Sequence, residues 1–389
     1  MDLVILAGGK GTRIKKQNPY LPKPMIKFGG ISFLQLLINH YSKFDFEKIY
    51  ILAGYKGSII KKKFHNKMQN FTEIKCLIED KPMDTAGSLN LIKNKIKKDF
   101  ILINGDTFLD LKYSDIINLR SKKGFATIGL IKSNKKKIKF KNLDLNKKNK
   151  VIKKEKSNLI NAGIYYFKKK VFNFINNKPL SIENYLLPLL LTKKYLNGVK
   201  LNSFFLDIGT PQDLSRANNV IKKKFSKPSL FLDRDGVINY DPGYTHEYKK
   251  FKFRKNVIKF LKLASKLNLN IFIITNQAGI AKGFFKLSDF YKLHKKLKKF
   301  LISKKIYIDD VQFCPHHPLG NIKKYKKKCF CRKPGVKMID NIKNKWFINS
   351  NTSLFIGDQK KDEITAKKSG FKFFYVEDDI FKQFKNLIR

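Results

Sequence analysis

Twice in this chain a short run of aliphatic and aromatic residues breaks off into a turn built to meet charge. Residues 2–9 read D-L-V-I-L-A-G-G, and residues 229–236 read S-L-F-L-D-R-D-G. Such runs are apolar on both faces, the pattern of strands buried in a parallel sheet. Around both, short apolar runs alternate with helical patterns, which predicts an α/β fold in each half. In the first half, strands are expected at 2–7, 47–53, 74–79, 99–104, 125–131, 163–168 and 200–206, with helices at 32–43, 57–64, 86–95 and 211–222. In the second, strands are expected at 229–233, 270–275, 307–313, 353–357 and 372–376, with helices at 255–267, 287–302, 335–345 and 361–369. The lysine- and asparagine-rich stretch 132–160 suits a β-ribbon insertion or a mobile loop. A helical pattern ends at K-K-K-F-S-K-P (222–228), and a strand starts afresh at Ser229. The expected division is therefore 1–222, a linker at 223–228, and 229–389, and a chain of 389 residues is ample for two domains.

The formal charge is +53, from 83 Lys and Arg against 30 Asp and Glu. A charge this large suits either a nucleic-acid binder or a lysine-rich solvated surface. The lysines are spread along the whole length, and asparagine, isoleucine and phenylalanine are abundant too, so compositional bias is the favoured reading. No specific nucleic-acid partner is expected, although a positive field would draw anionic sugar phosphates and nucleotides. No run of about 18 uncharged apolar residues is present, and the N-terminus lacks a basic leader, so a cytoplasmic protein with no membrane partner is expected. Of four cysteines, Cys76 stands alone in an apolar stretch, whereas Cys314, Cys329 and Cys331 cluster with histidines, which points to metal.

The first run leads into L-A-G-G-K-G-T-R (6–13). Gly8, Gly9 and Gly11 let the backbone turn tightly, so successive N–H groups from Leu6 and Ala7 onward can cradle phosphate, with Thr12 and Arg13 as added donors. At 22–25, P-K-P-M presents Lys23 on a stiff segment. Together these motifs resemble the signature of the sugar nucleotidyltransferases, over roughly residues 2–218. The resemblance implies a mixed-sheet, Rossmann-like (GT-A-like) fold and transfer of a nucleoside monophosphate from an NTP to a sugar 1-phosphate. It implies that Asp84, Ala86 and Gly87 of D-T-A-G-S contact the nucleotide. It likewise implies that Asn161, Gly163 and Glu183 contact the sugar, and that Asp106 of N-G-D and Asp207 of L-D-I-G hold Mg²⁺. Arg13 would hold the leaving pyrophosphate and Lys23 the α-phosphate or sugar phosphate.

In the second run Asp233 and Asp235 are two apart, so one can attack phosphorus while the other protonates the leaving oxygen. D-x-D-G-V resembles the first motif of the haloacid-dehalogenase-like phosphatases, and three more motifs follow in order. Thr275 of I-I-T-N-Q would donate to phosphate, Lys333 of C-R-K-P would supply charge, and Asp358 of F-I-G-D would join Asp233 and Asp235 around Mg²⁺, with Asp362 behind it. C-P-H-H-P (314–318) and C-F-C (329–331) supply Cys314, His316, Cys329 and Cys331 for a closed tetrahedral zinc site, with His317 as rival to His316. Zinc there would order a loop too lysine-rich to bury apolar surface, and would place Arg332 and Lys333. This loop, with 233–244 and T-N-Q-A-G-I-A-K-G (275–283), resembles the heptose 1,7-bisphosphate and histidinol-phosphate phosphatase subgroup over residues 229–377. That likeness implies that Asn276 and Arg332 contact the sugar phosphate. C-R-K-P-G-V-K-M departs from the family's usual C-R-K-P-x-P-G-M in the substrate-facing loop.

A phosphatase of that kind releases heptose 1-phosphate, and the first half most resembles the heptose 1-phosphate guanylyltransferases. The expected function is thus two consecutive steps toward a GDP-heptose for surface polysaccharide such as lipopolysaccharide, with GTP as the expected NTP. Two alternatives stand beside it: the same chemistries on another sugar such as mannose 1-phosphate, and a basic scaffold or nucleic-acid binder with inactive enzyme domains. The presence of every expected catalytic residue argues against the second.

Overall fold

The computed structural model describes residues 1–14, 19–121, 124–132 and 143–388. It divides into two compact units, residues 1–38 with 46–220, and residues 39–45 with 221–389. Both are α/β. Among the described residues no helix is long and apolar enough to cross a membrane.

In the first unit, four parallel strands stand in the order Phe100–Asn104, Asp2–Ala7, Lys48–Ala53, Thr72–Ile78. Leu159–Phe167 adds antiparallel to Phe100–Asn104 and then pairs with Ala126–Lys132, making the sheet mixed. Asp2–Ala7 is central, and its Leu3, Val4 and Ile5 have no exposed surface, which is why its pattern is apolar on both faces. Val4 belongs to a core that includes Leu102, Tyr165, Phe167 and Leu186.

The expected strand at 200–206 is in fact two. Leu196–Lys200 pairs with Ala126–Lys132, and Phe205–Asp207 leaves the sheet to pair antiparallel with Thr107–Leu109. The expected helix at 86–95 is likewise broken, into Asp84–Gly87 and a 3₁₀ segment Ser88–Ile92. Of the stretch 132–160, residues 133–142 lie outside the described ones. Leu143–Leu145 and Val151–Lys153 form an antiparallel ribbon, one of the two forms expected there. Helices Tyr113–Ser121 and Ile380–Leu387 were not foreseen. The helix expected at 211–222 runs Pro211–Phe225.

The second unit is a five-stranded parallel sheet in the order Asp310–Cys314, Asn270–Asn276, Ser229–Leu232, Leu354–Gly357, Lys372–Tyr375. Strand order reverses around Ser229–Leu232, and in open parallel sheets ligands gather at the carboxyl ends beside such a reversal. Phe231 anchors the core there, stacked on Phe371 at 4.4 Å between centroids. Helix Lys337–Lys343 buries Met338, Ile339 and Ile342 in the same core.

Candidate active sites

In the first unit the glycine turn, the P-K-P-M segment and the ends of three strands enclose a cavity of about 560 Å³. Leu6, Ala7, Gly8, Gly9, Arg13, Lys23, Asp84, Asp106 and Glu183 all line it. Asp106 follows Phe100–Asn104 through Gly105, where a Cβ would stand 2.4 Å from the carbonyl of Leu6, so only glycine lets the two backbones pass. Burial works to raise the Asp106 carboxyl, but the Lys23 ammonium, ion-paired with Oδ2, outweighs it and holds the group below its ordinary range. The small ribbon sets Asp207 opposite Thr107, and Ile208 N donates to the Asp106 carbonyl at 3.0 Å. Two strand ends far apart in sequence thus bring the backbones of Asp106 and Asp207 together, with Asp106 lining the cavity and Asp207 outside its lining.

Other expected contacts sit behind the wall. The amides of Ala86 and Gly87 already donate to the Leu180 carbonyl, at 2.7 and 3.1 Å, and Ile182 N donates to Thr85 Oγ1 at 2.8 Å. These bonds clamp segment 180–183 to the 84–87 turn and so place Glu183. Neither Ala86 nor Gly87 is in the lining of this cavity, and their N–H groups are engaged in the clamp. Asn161 is also behind the cavity. It accepts from Gly163 N at 2.9 Å and donates to the Tyr165 hydroxyl at 2.6 Å, which in turn donates to Glu183 Oε1 at 3.4 Å. Gly11 and Thr12 shape the turn without lining this cavity.

Glu79 is the residue the motifs missed. It ends strand Thr72–Ile78, lines the cavity, and sits so close to Gly8 that a Cβ there would be 3.0 Å from its Oε1. Burial raises its carboxyl above the ordinary value, against the Met83 N–H that Oε2 accepts at 3.3 Å. Its strand stands three places from the one that leads to Asp106, roughly 14 Å at about 4.8 Å per strand. The signal available in sequence was a carboxylate directly after an apolar strand, the same signal that marks Asp233.

In the second unit a cavity of about 470 Å³ opens at the carboxyl ends of the sheet. Asp233, Asp235, Thr275, Asn276, Arg332 and Asp358 line it, as do Tyr244, Gln277, Lys282 and His317, which the motifs had not assigned to it. Beneath it lies Lys333, 2% exposed, with Nζ 2.7 Å from Asp233 Oδ2 and 2.6 Å from Asp362 Oδ1. Asn276 locks this lysine's backbone to the strand end, donating to the Lys333 carbonyl at 3.1 Å and accepting from its N–H at 3.0 Å. Burial pushes the Asp233 carboxyl up to about 7; Lys333 pulls it down, and Asp362 and Asp235 add to the rise. Burial alone would lower Lys333, but the two carboxylates raise it above its ordinary value, so it stays charged.

Carboxylate oxygens of Asp233, Asp358 and Asp362 lie within 4.8 Å of one another. Asp358 Oδ1 is buried without a hydrogen-bond partner, as an oxygen reserved for a cation would be. At Gly236, φ is +85° and a Cβ would stand 2.2 Å from Asp358 Oδ2, so the D-x-D-G turn admits only glycine. Asp235 turns its carboxylate to Arg234, Asn239 and Gln277, at 2.8 to 3.1 Å, while Asp362 pairs with Lys333 through Oδ1 and accepts from Gln359 N at 3.1 Å through Oδ2. Thr275 Oγ1 accepts from Gln277 Nε2 at 2.8 Å and donates to Asp235 Oδ2 at 3.5 Å.

The four residues of the loop also converge. Ligand atoms of Cys314, His316, Cys329 and Cys331 lie within 4.8 Å of one another. Cys331 Sγ is 3.0 Å from Cys314 Sγ and 3.3 Å from His316 Nδ1, and the Cys329 and Cys331 sulfurs lie in contact. His317, the rival ligand, faces the cavity instead.

Comparison with known proteins matches the two halves of the chain to two families. The sequence model for nucleotidyl transferases matches residues 3–224, and that for polynucleotide kinase 3 phosphatases matches residues 235–382. The D-glycero-beta-D-manno-heptose-1,7-bisphosphate 7-phosphatase of Rhodopseudomonas palustris is 36% identical over 158 residues, covering 40% of this chain and 88% of that protein. The enzyme of the same name from Photorhabdus laumondii is 38% identical over 147 residues, covering 37% and 78%. The chain belongs to both families, the nucleotidyl transferases and these phosphatases. It is therefore a bifunctional enzyme, a nucleotidyl transferase joined to a phosphatase. Among solved structures, a glucose-1-phosphate thymidylyltransferase of Bacillus anthracis shares the first unit's fold, with 21% identity, a TM-score of 0.50, and coverage of 57% of this chain and 94% of that one. HddC of Yersinia pseudotuberculosis matches over 57% of this chain and 99% of its own, with 28% identity and a TM-score of 0.46.

Proposed function

We propose that residues 229–389 remove the 7-phosphate of D-glycero-D-manno-heptose 1,7-bisphosphate, and that residues 1–222, joined through 223–228, transfer GMP from GTP to the heptose 1-phosphate so released. The observation that carries the first step is the buried Asp233–Lys333–Asp362 arrangement beneath a polar cavity, in a chain whose relatives bear that activity. Asp233 attacks phosphorus, Asp235 gives its proton to the leaving oxygen, and the resulting aspartyl phosphate is hydrolysed with Asp235 now taking a proton from water. Lys333 favours the ionised form of Asp233 and aims it, Thr275 and Asn276 hold phosphate oxygens, and Arg332 takes the sugar phosphate. Asp233, Asp235 and Asp358 would hold Mg²⁺, with Asp362 behind them, and the ion would supply positive charge that lets two anions approach.

In the first unit, oxygen of the sugar phosphate attacks the α-phosphorus in line and pyrophosphate leaves on Arg13 and the glycine turn. Lys23 screens the phosphates, Asp106 and Asp207 would hold Mg²⁺, and Glu183 binds a sugar hydroxyl. Glu79 supports the choice of GTP: a half-buried carboxylate lining the cavity suits guanine, whose N1–H and N2–H₂ donors lie side by side. Zinc on Cys314, His316, Cys329 and Cys331 would order the loop that delivers Arg332 and Lys333. The test supplies purified protein with the α-anomer of the bisphosphate, Mg²⁺ and each NTP in turn. Phosphate release together with a GDP-sugar supports the reading. Phosphate release with no nucleotide sugar from any NTP sinks the pathway.

A further inference from the structure

Asp235 is gripped by its own neighbour. Arg234, between the two aspartates, has no exposed surface. Its Nε and Nη2 donate to Asp235 Oδ1 at 3.0 and 2.8 Å, and Nη2 also donates to the Thr245 carbonyl at 2.8 Å. On the far side Nη1 meets His294 Nε2 at 3.3 Å, and the Phe290 ring centroid lies 5.8 Å from the guanidinium carbon. A guanidinium only donates, so this imidazole must offer a lone pair. Burial first, and Arg234 second, hold His294 well below its ordinary pKa and keep it neutral. Asn239 donates to Asp235 Oδ1 at 3.1 Å, and Gln277 and Thr275 donate to Oδ2 at 2.8 and 3.5 Å.

Burying an arginine is costly, and an apolar residue would fill core space more cheaply. What an arginine alone offers is a rigid planar fork that fixes a carboxylate in direction as well as place. The same fork reaches Thr245, which closes segment 241–245, and Asp241, Gly243 and Tyr244 of that segment line the cavity. One buried group thus joins the carboxyl and the cavity wall.

We propose that Arg234 is a positioning residue for the phosphatase reaction, holding the Asp235 carboxyl in the orientation from which its proton reaches the leaving oxygen and tying that orientation to the 241–245 wall. This rests on Asp235 being the general acid. A general acid matters in proportion to the basicity of the leaving oxygen. A sugar alkoxide needs its proton, whereas nitrophenolate leaves without one.

The experiment measures phosphate release from the heptose bisphosphate and p-nitrophenol release from p-nitrophenyl phosphate, for the full chain and for Asp235→Asn and Arg234→Lys. Arg234→Lys is expected to lower kcat on the sugar phosphate by about 10- to 100-fold with KM within about twofold, and to lower the aryl phosphate rate by less than about threefold. Asp235→Asn is expected to show the same selectivity more strongly. If Arg234→Lys slows both substrates equally, or neither, while Asp235→Asn discriminates, the positioning role is overturned and the acid assignment stands. If Asp235→Asn fails to discriminate, the acid assignment falls and the proposal with it. Should Arg234→Lys not fold, His294→Gln loosens only the far side of the fork. The same selectivity at smaller amplitude supports the proposal, and a variant without selectivity overturns it.

Discussion

Replacing Asp233 by asparagine makes the chain more stable above neutral pH while abolishing phosphatase activity. In the metal-free protein, burial carries this carboxyl from 3.8 to about 7. Between those values the native state holds a proton that the unfolded chain has released. The stability this confers is complete below about pH 4 and is lost as pH rises through 7. A displacement from 3.8 to about 7 corresponds to ~4 kcal/mol. Asparagine keeps the shape and removes the titration, so the advantage of Asp233→Asn is expected to grow from near zero at pH 4 to as much as ~4 kcal/mol at pH 8. For a unit of this size that is on the order of 10 °C in Tm. The assay is calorimetric melting of wild type and variant in EDTA from pH 4 to 8, following the transition the substitution moves. Millimolar Mg²⁺ should shrink the difference, because a cation at 100 times its Kd stabilises the ionised wild-type site by about 2.7 kcal/mol. A difference that stays constant with pH, or that grows toward acid, refutes the assignment of a buried, proton-retaining Asp233.

Other outcomes follow from the same geometry. Asp106→Asn is expected to cut nucleotidyl transfer by about 100-fold or more while leaving phosphate release unchanged; loss of both in the two separate assays would contradict two independent sites. Glu79→Gln should erode the preference for GTP over UTP by about tenfold in kcat/KM, since the amide gives up one acceptor and gains a donor. Cys331→Ser should lower bound zinc, measured by atomic emission, from about one per chain to near zero, and should lower the phosphatase unit's Tm. Asn276→Ala removes both hydrogen bonds to the Lys333 backbone and is expected to cost about 1–3 kcal/mol, with kcat falling more than KM rises.

The sequence by itself determined where chemistry begins. An apolar strand can stop on Gly8–Gly9, Asp106 or Asp358 only if the strand is buried and its end is less so, so each of these motifs announced its own strand end. Spacing within the loop likewise picked out Cys314, His316, Cys329 and Cys331, which the fold brings to one point. Pairings that cross the fold were not legible, because nothing local encodes them. Residues 205–207 read as the tail of one strand, yet the chain leaves the sheet and pairs with 107–109, which is what sets Asp207 beside Asp106. Nor does anything local show that Arg234, Asn239 and Gln277 reach the oxygens of Asp235, or that Asp362, on helix Lys360–Lys368, shares Lys333 with Asp233. Which polar group meets which is fixed by what burial leaves unsatisfied, and burial is a property of the packed chain rather than of any segment of it.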